Sequence, residues 1–308
     1  MAMLKKLAKG AARTLSGAIF LIYSDPVLSM AILSHLIIYP VKSCAGLSVP
    51  AATLTRAGLE VDGVGDREWM VVDPDGQFLT QREHPRMALV TPRVDAGVLT
   101  LRAPGMAALA LAPAGPAATR EVGLWDDRVL ADDCGEAAAA WFSCVLGARC
   151  RLMRFGAAAV RATGGSWTGG VPQPTRFADG YPLLVIGAAS LEDLNDKLRS
   201  CGRPALPMDR FRPNLVIEGL SAFEEDYVDT FALGAARIKP VKPCPRCPIP
   251  RIDQATGVPG LDPLDILQAY RRKPQLDDAV CFGMNCIAQA GAGERLFVGQ
   301  DVVATLAF

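Results

Sequence analysis

The sequence predicts an α+β fold organised around a barrel-like sheet, on three observations. Short β-rich runs recur from residue 33 to the end of the chain. Turn sequences rich in glycine and proline separate them, and only a few stretches carry helical capping and periodicity. Residues 33–41 read as the first convincing strand. Residues 68–73 and 77–80 flank Asp73-Pro74-Asp75-Gly76, whose proline and glycine suit a hairpin turn. Residues 97–102 and 128–130 read as further strands. Asp133 and Glu136 make a capping-box pair ahead of a helix over 137–146, with Gly147 as its stop and Cys134 and Cys144 expected in its packed face.

The run Gly164-Gly165-Ser166-Trp167-Thr168-Gly169-Gly170 has the glycine density of a loop, so a boundary is placed near it. A mostly β unit, residues 30–160, precedes a second β-rich unit, residues 161–308. In the second unit, strands are predicted at 183–186, 214–218 and 231–238. A helix starts at Ser190, capped through Asp193, and a short helix opens at Asp262-Pro263 and runs to Tyr270. Strands near 281–287, 295–298 and 302–307 close the chain.

Composition narrows the function. With 308 residues, 50% of them hydrophobic, the chain can bury a large core. Lys plus Arg (32) equals Asp plus Glu (32), so no global positive field draws in nucleic acid, and local clusters must carry any anion recognition. Nine scattered cysteines, an odd number, do not resemble a disulfide framework and suit a reducing compartment, read here as the cytoplasm. Lys5, Lys6, Lys9 and Arg13 precede an apolar run at 18–23 that is far shorter than the roughly 20 residues a bilayer span needs. Residues 1–29 fit an upstream extension outside the fold, a weak membrane-surface helix or an export signal; the first is the reading taken, and stable membrane insertion is not expected.

The most distinctive stretch is Lys242-Pro243-Cys244-Pro245-Arg246-Cys247-Pro248. Its prolines fix φ and remove backbone donors, which stiffens a loop that holds sulfur in one orientation. Arginine beside a cysteine favours the thiolate and also grips phosphate bidentately. Spacing alone leaves several alternatives open. Cys244 and Cys247 with Cys281 and Cys286 could complete a four-thiolate zinc site, or the pair could be a redox dithiol. Against zinc, residues 280–287 read as an apolar strand in which Cys281 and Cys286 serve as small core residues. A single functional thiolate and plain packing remain.

Other stretches carry donors for an anionic ligand. Lys42 and Ser43 follow Tyr39-Pro40-Val41 at a strand end, and Asp209-Arg210-Phe211-Arg212-Pro213-Asn214 leads into another strand. The alternating charges of residues 66–69 and 81–86 read as a solvated face with internal pairs.

Taken in order, Tyr39-Pro40-Val41-Lys42-Ser43, Asp66-Arg67, Phe177-Ala178-Asp179, Ala189-Ser190-Leu191, Phe211-Arg212-Pro213-Asn214, and Cys244 to Cys247 with Asp253 and Thr256-Gly257 resemble the MOSC family. The likeness spans about residues 31–308 and is greatest to the branch containing the mitochondrial amidoxime-reducing component and its bacterial relatives. It implies a mostly β MOSC N-terminal domain followed by a β-barrel-like MOSC domain. It also implies a molybdenum cofactor, molybdopterin carrying Mo. By resemblance, Cys247 is the metal ligand, while Lys42, Ser43, Arg67, Asp179, Ser190, Arg212, Asn214 and Arg246 contact the cofactor. Asp179, beside the expected metal face, is the proton handler, with His84 a weaker candidate. Soft sulfur for the metal and basic donors for the phosphate agree with that chemistry.

The activity implied is removal of oxygen from a small N-hydroxylated substrate such as an amidoxime or hydroxylamine. No four-cysteine ferredoxin spacing follows the MOSC segment, so electrons are expected from a separate protein of the ferredoxin, cytochrome b5 or flavin reductase type. A monomer is expected. The rival from another class is a non-catalytic carrier of molybdenum cofactor or of cysteine-bound sulfur.

Overall fold

The computed structural model describes residues 27–111 and 118–307. Most of the expected extension, residues 1–26, lies outside the described residues. Its last residues do not stand apart from the fold, because the first strand already begins at Leu28 and runs as Leu28–Ile38.

Seven strands close into a barrel. In spatial order they are Leu183–Gly187, Leu215–Glu218, Leu28–Ile38, Asp301–Leu306, Val228–Leu233, Ala236–Pro245 and Ala279–Ala290, which pairs back onto Leu183–Gly187. Only Leu183–Gly187 and Leu215–Glu218 run parallel, joined by the helix Ala188–Ser200 as a crossover. The interior is filled by side chains from every strand, including Leu33, Ile38, Val185, Ile217, Phe231 and Met284. Cys286 and Ala304 supply the small partners that let the larger side chains interdigitate, so Cys286 is the core residue expected.

The strand Leu28–Ile38 belongs to this barrel, between a strand near residue 216 and one near residue 303. The division at residue 160 therefore does not separate the sheets. Ala51–Thr55 likewise pairs with Arg295–Phe297 and Gly58–Val61. The intervening chain forms a second layer. Trp69–Val72, Arg151–Arg154, Asp127–Asp133 and Thr119–Leu124 make one antiparallel sheet, and Thr91–Asp95, Val98–Arg102 and Leu109–Leu111 another. The helix Gly135–Leu146 packs Trp141, Phe142 and Val145 against them.

Several expectations change in detail. Residues 231–238 are not one strand: Gly234, in a left-handed conformation (φ 58°), turns Val228–Leu233 into Ala236–Pro245 as a hairpin. The capping box does not form. Asp133 Oδ1 instead accepts from the Gly135 amide at 2.9 Å, and Glu136 pairs with Arg151. Gly147 does stop the helix, at φ 66°. Cys134 is half-buried but Cys144 is exposed, so it is not a core residue. The segment 66–69 is not a solvated face either: Asp66 and Glu68 are buried, and Glu68 pairs with Arg154 at 2.6 Å.

Proline shapes the strand that matters most. Pro240, Pro243 and Pro245 cannot donate to the ladder, and the register with Ala279–Ala290 slips between Pro240 and Lys242 and again between Pro243 and Pro245. These bulges bend the strand end, so that Cys244 is the next-to-last residue of the strand and Cys247 follows in the loop beyond it.

Candidate cofactor site at the barrel mouth

One end of the barrel opens into a cavity of about 740 Å³ of non-atom space, open solvent at its mouth included. Segments far apart in the sequence converge on it. Lys42 and Ser43 arrive from the end of the first strand, Arg67 from the turn before Trp69–Val72, and Arg212 and Asn214 from the entrance to Leu215–Glu218. Arg246 and Cys247 come from the proline-bulged strand end. With Asp179, eight of the nine predicted site residues line this one cavity.

Three of them hold left-handed backbones that L-residues seldom adopt: Ser43 (φ 64°), Arg67 (φ 47°) and Arg212 (φ 58°). Each such conformation costs of order 1–3 kcal/mol and persists only where neighbours over-determine it. Here the neighbours are identifiable. The Ser43 carbonyl accepts from Gln81 Nε2 at 2.7 Å, the Arg67 amide donates to the Tyr39 carbonyl at 2.8 Å, and Arg67 Nη2 reaches the Arg212 carbonyl at 3.4 Å.

A buried network aims the arginines. Asp66, whose side chain is 1% exposed, accepts from the Tyr39 amide at 2.7 Å, Asn214 Nδ2 at 3.0 Å and Arg67 Nη1 at 2.5 Å. Asn214 Oδ1 accepts from the Leu184 amide and from Arg67 Nη1 at 3.1 Å each. The guanidiniums of Arg67 and Arg212 both lie 4.3 Å from the centroid of the Tyr39 ring. Gly46 permits that ring position, since a Cβ there would come within 2.6 Å of Tyr39 Cε1. Burial pushes the Tyr39 hydroxyl up to about 12, although both arginines pull it down.

Arg212 itself makes no side-chain hydrogen bond among the described residues, and its Nη1 is buried without a partner. Arg246 Nε is orphaned in the same way. Burial pushes the Arg212 pKa down, as does Arg67 nearby, although Tyr39 pulls it up. Four cations, Lys42, Arg67, Arg212 and Arg246, thus face one cavity-lining carboxylate, Asp179. Buried donors left unsatisfied cost free energy, and an anion with several acceptor oxygens would recover it. With a free thiol in the same wall, the donor set fits a phosphate-bearing, thiolate-ligated metal cofactor.

The arginine and the thiols pair differently from the sequence expectation. Arg246 Nη1 approaches Cys244 Sγ at 3.4 Å, and Arg246 Nη2 donates to the Phe211 carbonyl at 2.8 Å. Burial nevertheless pushes the Cys244 thiol up despite Arg246, so that arginine does not make Cys244 a ready thiolate. Cys281 and Cys286 are fully buried within the barrel strand, and among the described residues no group of three or more His, Cys, Asp or Glu side chains gathers to hold a metal. Arg210, two residues before Arg212, turns away and pairs with Asp253 at 2.6 Å. His84 does not line the cavity.

Asp179 projects at the mouth with its side chain 68% exposed and is paired with Lys42 through Oδ1. Desolvation pushes its pKa up, but the Lys42 ammonium outweighs this and holds it at about 2. Lys42 is pushed down by burial, against the pull of Asp179. At neutral pH Asp179 is an ionised acceptor, not a proton donor.

Ser190 is the residue that the fold does not bring to the cavity. Its hydroxyl donates to Glu225 Oε2 at 2.7 Å and accepts from the Phe223 amide at 2.8 Å, within a buried cluster at the start of the helix Ala188–Ser200. Burial pushes the Glu225 carboxyl up more than Ser190 and the Gly187 amide pull it down. The native state therefore keeps a proton that the unfolded chain releases above about 4.5. This group stabilises the fold most at low pH, and its contribution declines as pH rises toward the native pKa. Glu225→Gln is expected to flatten the fall of unfolding free energy as pH rises above about 4.5 in urea titrations, and an unchanged slope would refute the assignment.

Sequence reasoning missed Arg161. Its Nη1 donates to the carbonyls of Arg176 at 2.8 Å and Ala178 at 2.5 Å, and its Nη2 to that of Asp179 at 3.1 Å, so it holds the segment that carries Asp179. No local motif marks it.

Two family models match the chain: the MOSC N-terminal beta barrel domain over residues 30–149 and the MOSC domain over residues 172–303. Mitochondrial amidoxime reducing component 2 of Rattus norvegicus is 36% identical over 245 residues, covering 76% of this chain and 70% of that one. The chain belongs to the MOSC-domain family. This MOSC protein is also 33% identical over 246 residues to the Homo sapiens mitochondrial amidoxime-reducing component 1, covering 78% and 72% of the two chains. A third relative is the molybdenum cofactor sulfurase of Oryza sativa subsp. japonica, 33% identical over 307 residues, which covers 91% of this chain but 36% of that one. Among the described residues of the MOSC protein, no helix is long and apolar enough to cross a membrane.

Proposed function

We propose that this MOSC protein is a molybdenum-cofactor-dependent oxidoreductase that reduces small N-hydroxylated compounds, amidoximes and hydroxylamines, with electrons from a separate redox protein. The observation that carries the reading is the free Cys247 thiol in the wall that also holds the unpartnered Arg212 guanidinium. When bound, the cofactor would supply the two-electron chemistry that cleaves the N–O bond. The chain's own residues bind and orient. Cys247 would hold the metal, and Lys42, Ser43, Arg67, Arg212 and Arg246 would hold the anionic part of the cofactor. Asn214 and Asp66 would keep Arg67 aimed, and Asp179, ionised, would accept hydrogen bonds at the mouth. Two electrons and two protons convert N–OH to N–H and water. A ferredoxin, cytochrome b5 or flavin reductase type of partner would provide the electrons.

The likeness to the rice sulfurase favours a second reading, a carrier of cofactor or sulfur without turnover of its own. Nine free cysteines suit a reducing compartment, and a monomer in the cytoplasm is the setting proposed, although relatives are named as mitochondrial. Protein made in a cofactor-competent host should contain equimolar molybdenum and released pterin, and should reduce benzamidoxime with reduced methyl viologen as donor. Pterin without turnover would favour the carrier. Stoichiometric zinc without pterin would sink both readings.

A further inference from the structure

The cofactor reading leaves Trp125, hydrogen-bonded to the cavity residue Asp179, without a role. Trp125 sits at the tip of the hairpin between Thr119–Leu124 and Asp127–Asp133, with a left-handed backbone (φ 56°) and 47% of its surface exposed. A large apolar residue in that conformation at an exposed tip costs stability and calls for a use. Its indole Nε1–H donates to Asp179 Oδ1 at 3.3 Å, and the Phe78 ring meets it at 4.8 Å between centroids in a tilted, edge-type contact. Lys42 bonds the same Oδ1, so Asp179 Oδ2 has no hydrogen-bond partner among the described residues. An aromatic platform and an uncommitted acceptor oxygen are therefore joined by one hydrogen bond beside the cavity.

We infer that Trp125 and Asp179 Oδ2 form a substrate clasp that selects planar aryl amidoximes over aliphatic ones. The substrate ring would lie against the indole while its amino N–H donates to the carboxylate oxygen, which turns the N–OH group toward the cavity. Arg82, whose guanidinium lies 4.8 Å from the Trp125 ring centroid, is held otherwise by a 3.3 Å side-chain contact to Thr80, so an incoming planar group can displace it. This inference rests on the reductase reading and names the substrate class within it. Trp125 does not itself line the cavity that contains Cys247 and would touch the substrate from its edge.

The test uses holoenzyme in its oxidised state, with benzamidoxime and acetamidoxime titrated by calorimetry, followed by steady-state kinetics. Wild type should bind benzamidoxime the more tightly. Trp125→Ala should lose roughly tenfold in benzamidoxime affinity with acetamidoxime unchanged. KM for benzamidoxime should rise by a similar factor while kcat holds. Trp125→Phe should restore most of the preference, and Trp125→Leu, which keeps apolar bulk at the tip, should not. Equal binding of the two probes by wild type, equal weakening of both in Trp125→Leu, or full preference in Trp125→Ala would each overturn the clasp. If wild type binds with the expected preference yet reduces neither probe, the reductase reading fails while the clasp stands.

Discussion

Replacing Cys247 by alanine is expected to abolish benzamidoxime reduction and empty the protein of molybdenum, while the variant melts within roughly 2 °C of cofactor-free wild type. The physical reason lies in what Cys247 touches. Its side chain is half-buried in the cavity wall and makes no hydrogen bond to the rest of the protein among the described residues, so little packing or polar satisfaction is lost with the sulfur. Cys244 differs: it lies within the barrel strand, packs against the cluster around Phe211 and Phe282, and receives Arg246. Cys244→Ala should therefore lower stability modestly and retain turnover. Metal analysis, a melting curve and one activity assay on both variants decide the matter. Full turnover in Cys247→Ala would remove the thiol from the site.

The second large effect is expected at Asp66. Its carboxylate satisfies the Tyr39 amide, Asn214 and Arg67 at once from a position with 1% exposure. Asp66→Ala leaves a guanidinium, an amide N–H and a carboxamide without that acceptor, and breaking a buried ion pair from one side costs about 3–5 kcal/mol. Urea unfolding should register a loss of that size, and holoenzyme prepared from the variant should carry less cofactor because Arg67 loses its aim. A change below about 1 kcal/mol would mean that Arg67 is positioned by Tyr39 and Asn214 without help from the carboxylate. Asp66→Asn, which keeps one acceptor oxygen, should fall between the two.

Which parts of the site could be read from the chain follows from where their determinants lie. Lys42, Arg212 and Cys247 stand in short local motifs, and the fold gathers the motifs at one barrel mouth, so local reading and tertiary placement agree. Ser190 stood in an equally motif-like context, but its hydroxyl is claimed by Glu225, 35 residues further on, and nothing near Ser190 announces that partner. The same applies to Asp66 and Glu68. Alternating charges are usually solvated, and only the approach of Asn214 and Arg154 from distant segments makes these two buried ion-pair members. The hairpin at 228–245 was hidden because its turn has only one glycine between two runs of similar composition. Trp125 was invisible for a simpler reason: nothing in its neighbourhood says that Asp179 will lie beside it.

The strand Leu28–Ile38 is inserted between partners from the far end of the sequence. During translation, the earliest barrel strand to leave the ribosome must wait for residues near 216 and then 303 before its two edges are covered. Such distant pairings fold slowly, and the unpaired edges are open to chaperones and to aggregation meanwhile. The cavity at the barrel mouth, which needs the same strands, therefore forms only after residues near 303 have been made.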